Sequence, residues 1–359
     1  MDNKGLLFIP DISGFTRFVT EMEIGHSRQI IQELLEILID SNQLELEVSE
    51  VEGDAILFYK FGESPNLGDI YQQVEKMFCS FHRHLQAYEH RRFCQCKACI
   101  SAVNLSLKVI THYGEFTGYT VKNFYKLIGK DVIVAHQLLK NDIAQHEYWL
   151  ITKSIAADTP DTDFANWMHW NSSSKQTESG DIPFYYTQLS PLKQDLAPEP
   201  LPPIEMKDKV KVISVSKEYN TDIKTLFYTS AHFEFRNRWQ EGVQKIEQLD
   251  HLLPAVGMRL KYTTDDGEKI ICSSSFLYDP SSKIIFSETD EHKKNASYFT
   301  LEKISDHKTR LTIDYFIEKN LLGNVVFKLS LKKKMEAKLE RSLVNLEKFL
   351  KEITLPVEF

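Results

Sequence analysis

Cysteine is scarce and odd in number, five in 359 residues, which argues against a disulfide framework and for a reducing compartment. Long apolar runs are missing; none approaches the ~20 residues that span a bilayer. No leader-like segment precedes the first strand-like run, Leu6-Leu7-Phe8-Ile9, so no signal peptide and a cytoplasmic location are expected. Positive charge is in deficit. With 43 Lys and Arg against 51 Asp and Glu, the net charge of −8 argues against a general nucleic-acid binder. The local run Lys332-Lys333-Lys334 fits the solvated face of a helix better. Proline is sparse and bunched: five of twelve fall between Pro191 and Pro203, where neither a helix nor a central strand can run. No internal repeat is visible. A chain of 359 residues exceeds what one core usually holds, so two domains are expected, 1–190 and 209–355, joined by a proline-rich linker at 191–208.

What is present has two rhythms. In the first half a strand at 6–10 precedes a helix marked by Ile24, Ile30, Ile31, Leu34, Leu35 and Leu38. Residues 42–60 read as a hairpin, and Ile70, Val74, Met77, Phe78, Phe81, Leu85 and Tyr88 as the buried face of a long helix. Strands follow at 104–112, 115–119, 149–152 and 182–189, with a helix at about 130–141. This predicts an α/β (α+β) domain with helices packed on a largely antiparallel sheet. The second half reads as a strand at 210–218, helical segments through about 247, and strands at 258–263, 268–278, 283–289, 297–304 and 309–318. A long amphipathic helix at 321–352 closes it, with Leu331, Met335, Leu339, Leu343, Leu346 and Leu350 on one face.

Two carboxylates stand where strands meet turns. Asp11 ends the run Leu6–Pro10, and Gly14 then turns the chain toward a helix. Asp54 lies in Glu50-Val51-Glu52-Gly53-Asp54-Ala55, a Gly-Asp turn between apolar runs. If both strands share a sheet, the carboxylates converge on one edge. Paired hard oxygen ligands favour Mg²⁺ or Mn²⁺, ions that usually arrive with phosphates. A turn aspartate and a helix N-cap are the plainer alternative.

These segments resemble the class III nucleotidyl cyclases. The resemblance rests on Asp11-Ile12-Ser13-Gly14-Phe15-Thr16, the Gly53-Asp54 turn, Lys108 to Gly114 ending in His112-Tyr113-Gly114, and Gly129-Lys130-Asp131-Val132-Ile133-Val134-Ala135. Together they cover roughly residues 5–190. The resemblance implies a ferredoxin-like domain in which Asp11 and Asp54 hold metal over a nucleoside triphosphate. It also implies Lys108 on the triphosphate, backbone N–H groups of Gly14, Phe15 and Thr16 toward the phosphates, and a homodimer whose sites form between subunits. The chain departs from the family pattern at Ile133, where an asparagine would orient the ribose, and at Gln137, where an arginine would stabilise the transition state. Losing one such donor costs ~10²–10³-fold in rate. His136, Lys140 and Asn141 are the nearest substitutes. At the base-reading positions stand Glu50, as in guanylyl cyclases, and Lys126, which matches neither pattern; a plain ion pair between them is the alternative.

Cys94, Cys96 and Cys99 form a second cluster, with Cys79, His82, His84 and His90 upstream. Three thiols and a histidine would suit zinc. Alternation of Cys94 and Cys96 across a strand would prevent it. Cys272 reads as inert core. The second half resembles the helix-grip fold of the START and polyketide-cyclase (SRPBCC) superfamily in element order, implying a cavity of a few hundred Å³ for a small apolar ligand. Phe227, Phe233, Phe235, Trp239, Phe276, Phe286 and Phe299 would fill or line it. Two functions are expected as alternatives: a catalytically degenerate nucleotide-binding module with a signalling role, or an active cyclase forming cyclic nucleotide and pyrophosphate, with guanine or another base as substrate.

Overall fold

The computed structural model describes residues 3–21, 24–92, 96–158, 160, 164–177, 180–196, 206, 208–249, 256–319 and 332–353. The chain divides into two compact units, one of Met1–Glu89 with Ile100–Glu199 and one of His90–Cys99 with Pro200–Phe359. The architecture is mixed α+β with largely antiparallel sheets and a C-terminal helix. Parts of the expected linker and residues 321–331 of the expected last helix lie outside the described residues.

In the first unit, β1 (Lys4–Ser13), α1 (Phe15–Glu21), α2 (Ile24–Asp40), β2 (Glu47–Glu52), β3 (Ala55–Phe61), α3 (Leu67–Arg91) and β4 (Ser106–Glu115) form the central motif. The sheet order β2-β3-β1-β4, all antiparallel, is the ferredoxin-like arrangement of two βαβ halves. After a small hairpin of β5 (Thr117–Val121) and β6 (Phe124–Ile128), helix α5 (Lys130–Leu138) crosses over to β7 (Tyr148–Thr152), which lies parallel to β4. β9 (Gly180–Gln188) and β8 (Asn171–Thr177) extend the edge.

β1 is buried on both faces, as its unbroken apolar run requires. Leu7 and Ile9 join the cluster made with Val132, Ala135 and Leu138 of α5. Leu6 and Phe8 point the other way by the two-residue period, and Phe8 meets Phe58 edge-on at 6.4 Å between ring centres. The buried residues of α2 and α3 include Ile30, Leu34, Leu38, Val74, Phe78 and Phe81, at the helical spacing the sequence shows.

The second unit is one antiparallel sheet in the order β10-β16-β15-β14-β13-β12-β11, so the first strand, β10 (Lys209–Tyr219), pairs with the last, β16 (Lys308–Glu318). Between them run β11 (Val243–Gln248), β12 (Arg259–Thr264), β13 (Gly267–Asp279), β14 (Lys283–Asp290) and β15 (Asn295–Ser305). β11 corrects the sequence reading of helix up to about 247. Its residues have modest strand preference, but pairing with β12 completes the sheet edge and outweighs that preference. Helices α6 (Ile223–Ala231) and α7 (Arg236–Trp239) precede it, α6 capped by Asp222 accepting from the N–H groups of Lys224 and Thr225. The last helix, α8 (Lys332–Glu352), buries Leu343, Leu346 and Phe349 among Val215, Tyr219, Phe286, Phe299 and Ile313. Each such side chain contributes ~1.5–3 kcal/mol by leaving water.

Candidate metal centre

Pro10 sets the local geometry of the centre. Lacking an N–H, it stands where β1 stops pairing with β3; the ladder resumes only at Asp11 opposite Ala55. The Ile12 N–H then donates to the Asp54 carbonyl at 2.9 Å. On the other side Asp11 faces Lys108 of β4 directly. Two turns are drawn together here. Gly14 (φ 90°) and Gly53 (φ 61°) take the left-handed conformations that favour glycine, and a Cβ on Gly53 would touch the Phe15 ring.

The result is a pair of carboxylates on one sheet end. Lys108 Nζ lies 3.3 Å from an Asp11 carboxylate oxygen and donates to the Leu139 carbonyl at 3.3 Å. Asp11 is 8% exposed, and burial holds its carboxyl above the ordinary range even against the pull of Lys108. Asp54 is pushed up to about 6, first by burial and then by the Asp11 charge. One cation is thus set against two carboxylates, and the residual repulsion is what a divalent ion would relieve. The donors are hard oxygens, which fit Mg²⁺ or Mn²⁺. The sequence did not single out Tyr148, a buried phenol raised to about 12 by burial, with a smaller contribution from Asp11.

The other expected residues sit as follows. Gly14 and Thr16 are exposed and Phe15 half-buried beside the carboxylates. Glu50 and Lys126 form an ion pair between β2 and β6, the plainer of the two readings of these residues. Ile133 is 57% exposed on α5. Gln137 is half-buried, and its buried Oε1 has no hydrogen-bond partner. The three possible substitutes are otherwise engaged or outside: Asn141 donates to Leu138 O at 2.7 Å and Tyr148 Oη at 2.6 Å, His136 lies 3.8 Å from Glu52, and Lys140 is exposed.

The His112 segment has a structural role. The ring contacts Thr152 Oγ1 through Nδ1 at 2.8 Å and Asp131 Oδ1 through Nε2 at 3.0 Å, while the other Asp131 oxygen accepts the Glu115 N–H at 2.6 Å. This ties the first turn of α5 to β4. Burial lowers the His112 pKa, with Asp131 opposing the shift. A Cβ on Gly114 would fall inside the Asp131 carboxyl, so Gly114→Ala is expected to cost ~1–3 kcal/mol, read as a lower urea midpoint for this unit. An unchanged midpoint would show that Asp131 can swing away freely.

Cys94 lies outside the described residues. Cys96 and Cys99 are buried at and within α4 (Lys97–Ser101), and neither they, Cys79 nor Cys272 is in a disulfide. Cys96 thus lies in a bend just before α4 rather than on a strand. Among the described residues no group of three or more His, Cys, Asp or Glu is gathered to hold a metal. Among them, too, no helix is long and apolar enough to cross a membrane. A polar network absent from the sequence reading joins His82, Ser106, Glu147 and Lys193. Ser106 donates to Glu147 at 2.7 Å, His82 lies 3.9 Å from it, and burial lowers the His82 pKa to about 4.

Residues 31–148 match a family described as a protein of unknown function (DUF2652). An uncharacterized protein of Mycobacterium tuberculosis is 32% identical over 124 residues, 34% of this chain and 58% of that relative's length. The chain thus spans under two thirds of the relative it matches. Over about half of the chain the structural neighbours are class III cyclase domains. The guanylate cyclase domain of RhGC from Catenaria anguillulae in complex with GTP is 13% identical, covering 52% of this chain and 97% of that one, with a TM-score of 0.37. The adenylyl cyclase CyaB from P. aeruginosa is 14% identical, covering 51% and 93%, with a TM-score of 0.34.

Proposed function

We propose that the first unit is a class III cyclase-homology module that binds Mg²⁺ or Mn²⁺ with a nucleoside triphosphate and has lost most of its catalysis. The second unit, in this reading, is an SRPBCC-like module that binds a small ligand with an apolar body, and the two serve regulation. The observation that carries the proposal is the under-neutralised pair Asp11 and Asp54 with Lys108 beside it. Gly14, Phe15 and Thr16 stand next to that pair, where the β- and γ-phosphates of a metal-bound triphosphate would lie.

Degeneracy is supported by the other half of the site. An exposed isoleucine at 133 offers no polar atom to orient the ribose, and an uncharged glutamine at 137 cannot neutralise the developing phosphate charge. Incubation with each nucleoside triphosphate and Mn²⁺, followed by mass analysis, is expected to give cyclic product far below ~1 per second. Turnover near that rate would instead identify an active cyclase. Ile133→Asn with Gln137→Arg is expected to raise any cyclic product; no change in the double variant would mean that α5 does not present these positions to the nucleotide.

A homodimer is part of the reading. Phe124 (70% exposed), Val121, Ile128 and Ile133 expose apolar surface on and after the β5–β6 hairpin, with Val48 and Val51 on β2, which contacts β6. Phe124→Asp is expected to shift sedimentation from dimer to monomer; a monomeric parent protein would remove this part.

A further inference from the structure

The second unit contains a small cavity whose chemistry differs from the purely apolar one the fold resemblance implies. Its lining combines apolar side chains, among them Phe227, Phe233, Met258 and Leu260, with the polar Arg236, Ser273 and Glu288. About 30 Å³ is open to the centres of water-sized spheres, room for roughly two or three heavy atoms, and the cavity opens to solvent on one side. This falls well below the few hundred Å³ expected from sequence. Phe286, Phe299 and Leu343 pack in the core, with Phe276 and Leu339 against it, and occupy the space the larger cavity would need.

The polar wall is buried and incompletely used. Arg236 is 1% exposed; its Nη2 donates to Glu288 Oε1 at 2.6 Å, and its guanidinium carbon lies 4.8 Å from the Phe299 ring centre and 5.5 Å from that of Phe286. Its buried Nε–H has no partner among the described residues. Ser273 stands directly opposite Glu288 in the β13–β14 register, and its buried hydroxyl also lacks one. Two further buried donors near this pair are without partners among the described residues: the Trp239 indole N–H, on a ring 5.3 Å from the guanidinium carbon, and the Tyr262 hydroxyl, which feels both charges. Buried donors are normally satisfied, so the two carried by the cavity lining, the Arg236 Nε–H and the Ser273 hydroxyl, ask for an acceptor.

We infer that this cavity takes the carbonyl head of a small neutral ligand, its oxygen accepting from Arg236 Nε and Ser273 Oγ while its apolar body lies along Phe227, Phe233, Met258 and Leu260. The inference rests on the ligand-binding reading of this unit and names the ligand's head. Neutrality follows from charge: Glu288 already balances Arg236, so a carboxylate would enter without a counter-charge. The small volume admits a head and leaves the body in the open mouth.

Calorimetric titration of the full chain with acetophenone, ethylbenzene and benzoate tests it. Acetophenone is expected to bind at least about fivefold tighter than ethylbenzene, with benzoate weakest. Ser273→Ala is expected to weaken acetophenone about fivefold and leave ethylbenzene unchanged. Equal affinity for acetophenone and ethylbenzene would overturn the carbonyl head while sparing an apolar ligand. Tightest binding of benzoate would overturn the neutral charge. Binding of none of the three would overturn this inference and the ligand-binding reading together.

Discussion

Asp54→Asn is expected to raise the melting temperature of the metal-free first unit at pH 7.5 by about 2–4 °C and to abolish its stabilisation by Mn²⁺ plus nucleoside triphosphate. Asp54 has a folded pKa of about 6 against an ordinary 3.8. A raised carboxyl pKa means the folded state holds the proton more tightly. The associated stability is present in full below about pH 4 and is lost as pH rises toward 6. Above that, the ionised Asp54 and Asp11 repel in a partly dry site. The full pKa difference corresponds to at most ~3 kcal/mol, and for a half-exposed group screening leaves ~1 kcal/mol. On a unit of this size that is about 2–4 °C. For the parent protein, metal with nucleotide at a hundredfold excess over Kd would add ~2.7 kcal/mol at pH 7.5. The gain should shrink at pH 5, where the ion must displace the Asp54 proton. Scanning fluorimetry at both pH values checks this; a variant that keeps the parent's Mn²⁺ shift would remove Asp54 from the centre.

The largest effect on the second unit is expected from Arg236→Met. Glu288 would lose its only charged partner among the described residues, at a cost of ~3–5 kcal/mol. Arg236→Met with Glu288→Leu should recover most of that loss, because two apolar side chains of similar bulk need no hydrogen bonds in the core formed by Phe227, Phe286 and Phe299. Urea unfolding followed by tryptophan fluorescence would report it, since Trp239 lies beside the guanidinium. A double variant as unstable as the single would move the main contribution from the ion pair to the stacking of Arg236 on its three aromatic neighbours.

Much of the fold is local enough to read from the chain. The apolar runs of β1 and β3, the helical spacing on α2 and α3, and the Gly-Asp turn each carry their own signal and stand where it points, as does the described part of the last helix, Lys332–Glu352. Asp11 and Asp54 were legible for the same reason, since each lies within three residues of a turn glycine beside an apolar strand; β1 continues past Asp11 to Ser13 instead of ending at it. β8, spelled Asn171-Ser172-Ser173-Ser174-Lys175-Gln176-Thr177, has no apolar alternation to read and exists because β9 offers it a ladder. β11 carries only modest strand preference, while β6, Phe124-Tyr125-Lys126-Leu127-Ile128, favours a strand but is only five residues long and pairs solely with β5 in a two-stranded hairpin.

The sequence by itself determined which residues are buried along the strongly periodic elements, β1, α2 and α3, because burial period is a property of adjacent positions. It also determined that two carboxylates stand beside turns, while the pairing of β1 with β3 brought them to one end of the sheet. Only the tertiary structure decided which charges face one another: Asp11 across from Lys108, Glu50 against Lys126, His112 on Asp131, Arg236 on Glu288. These partners lie from 19 to 97 residues apart, and strand register with helix placement selects them. Hydrophobic pattern is silent about such pairings, since a charge shows its partner only once burial has taken water away from both.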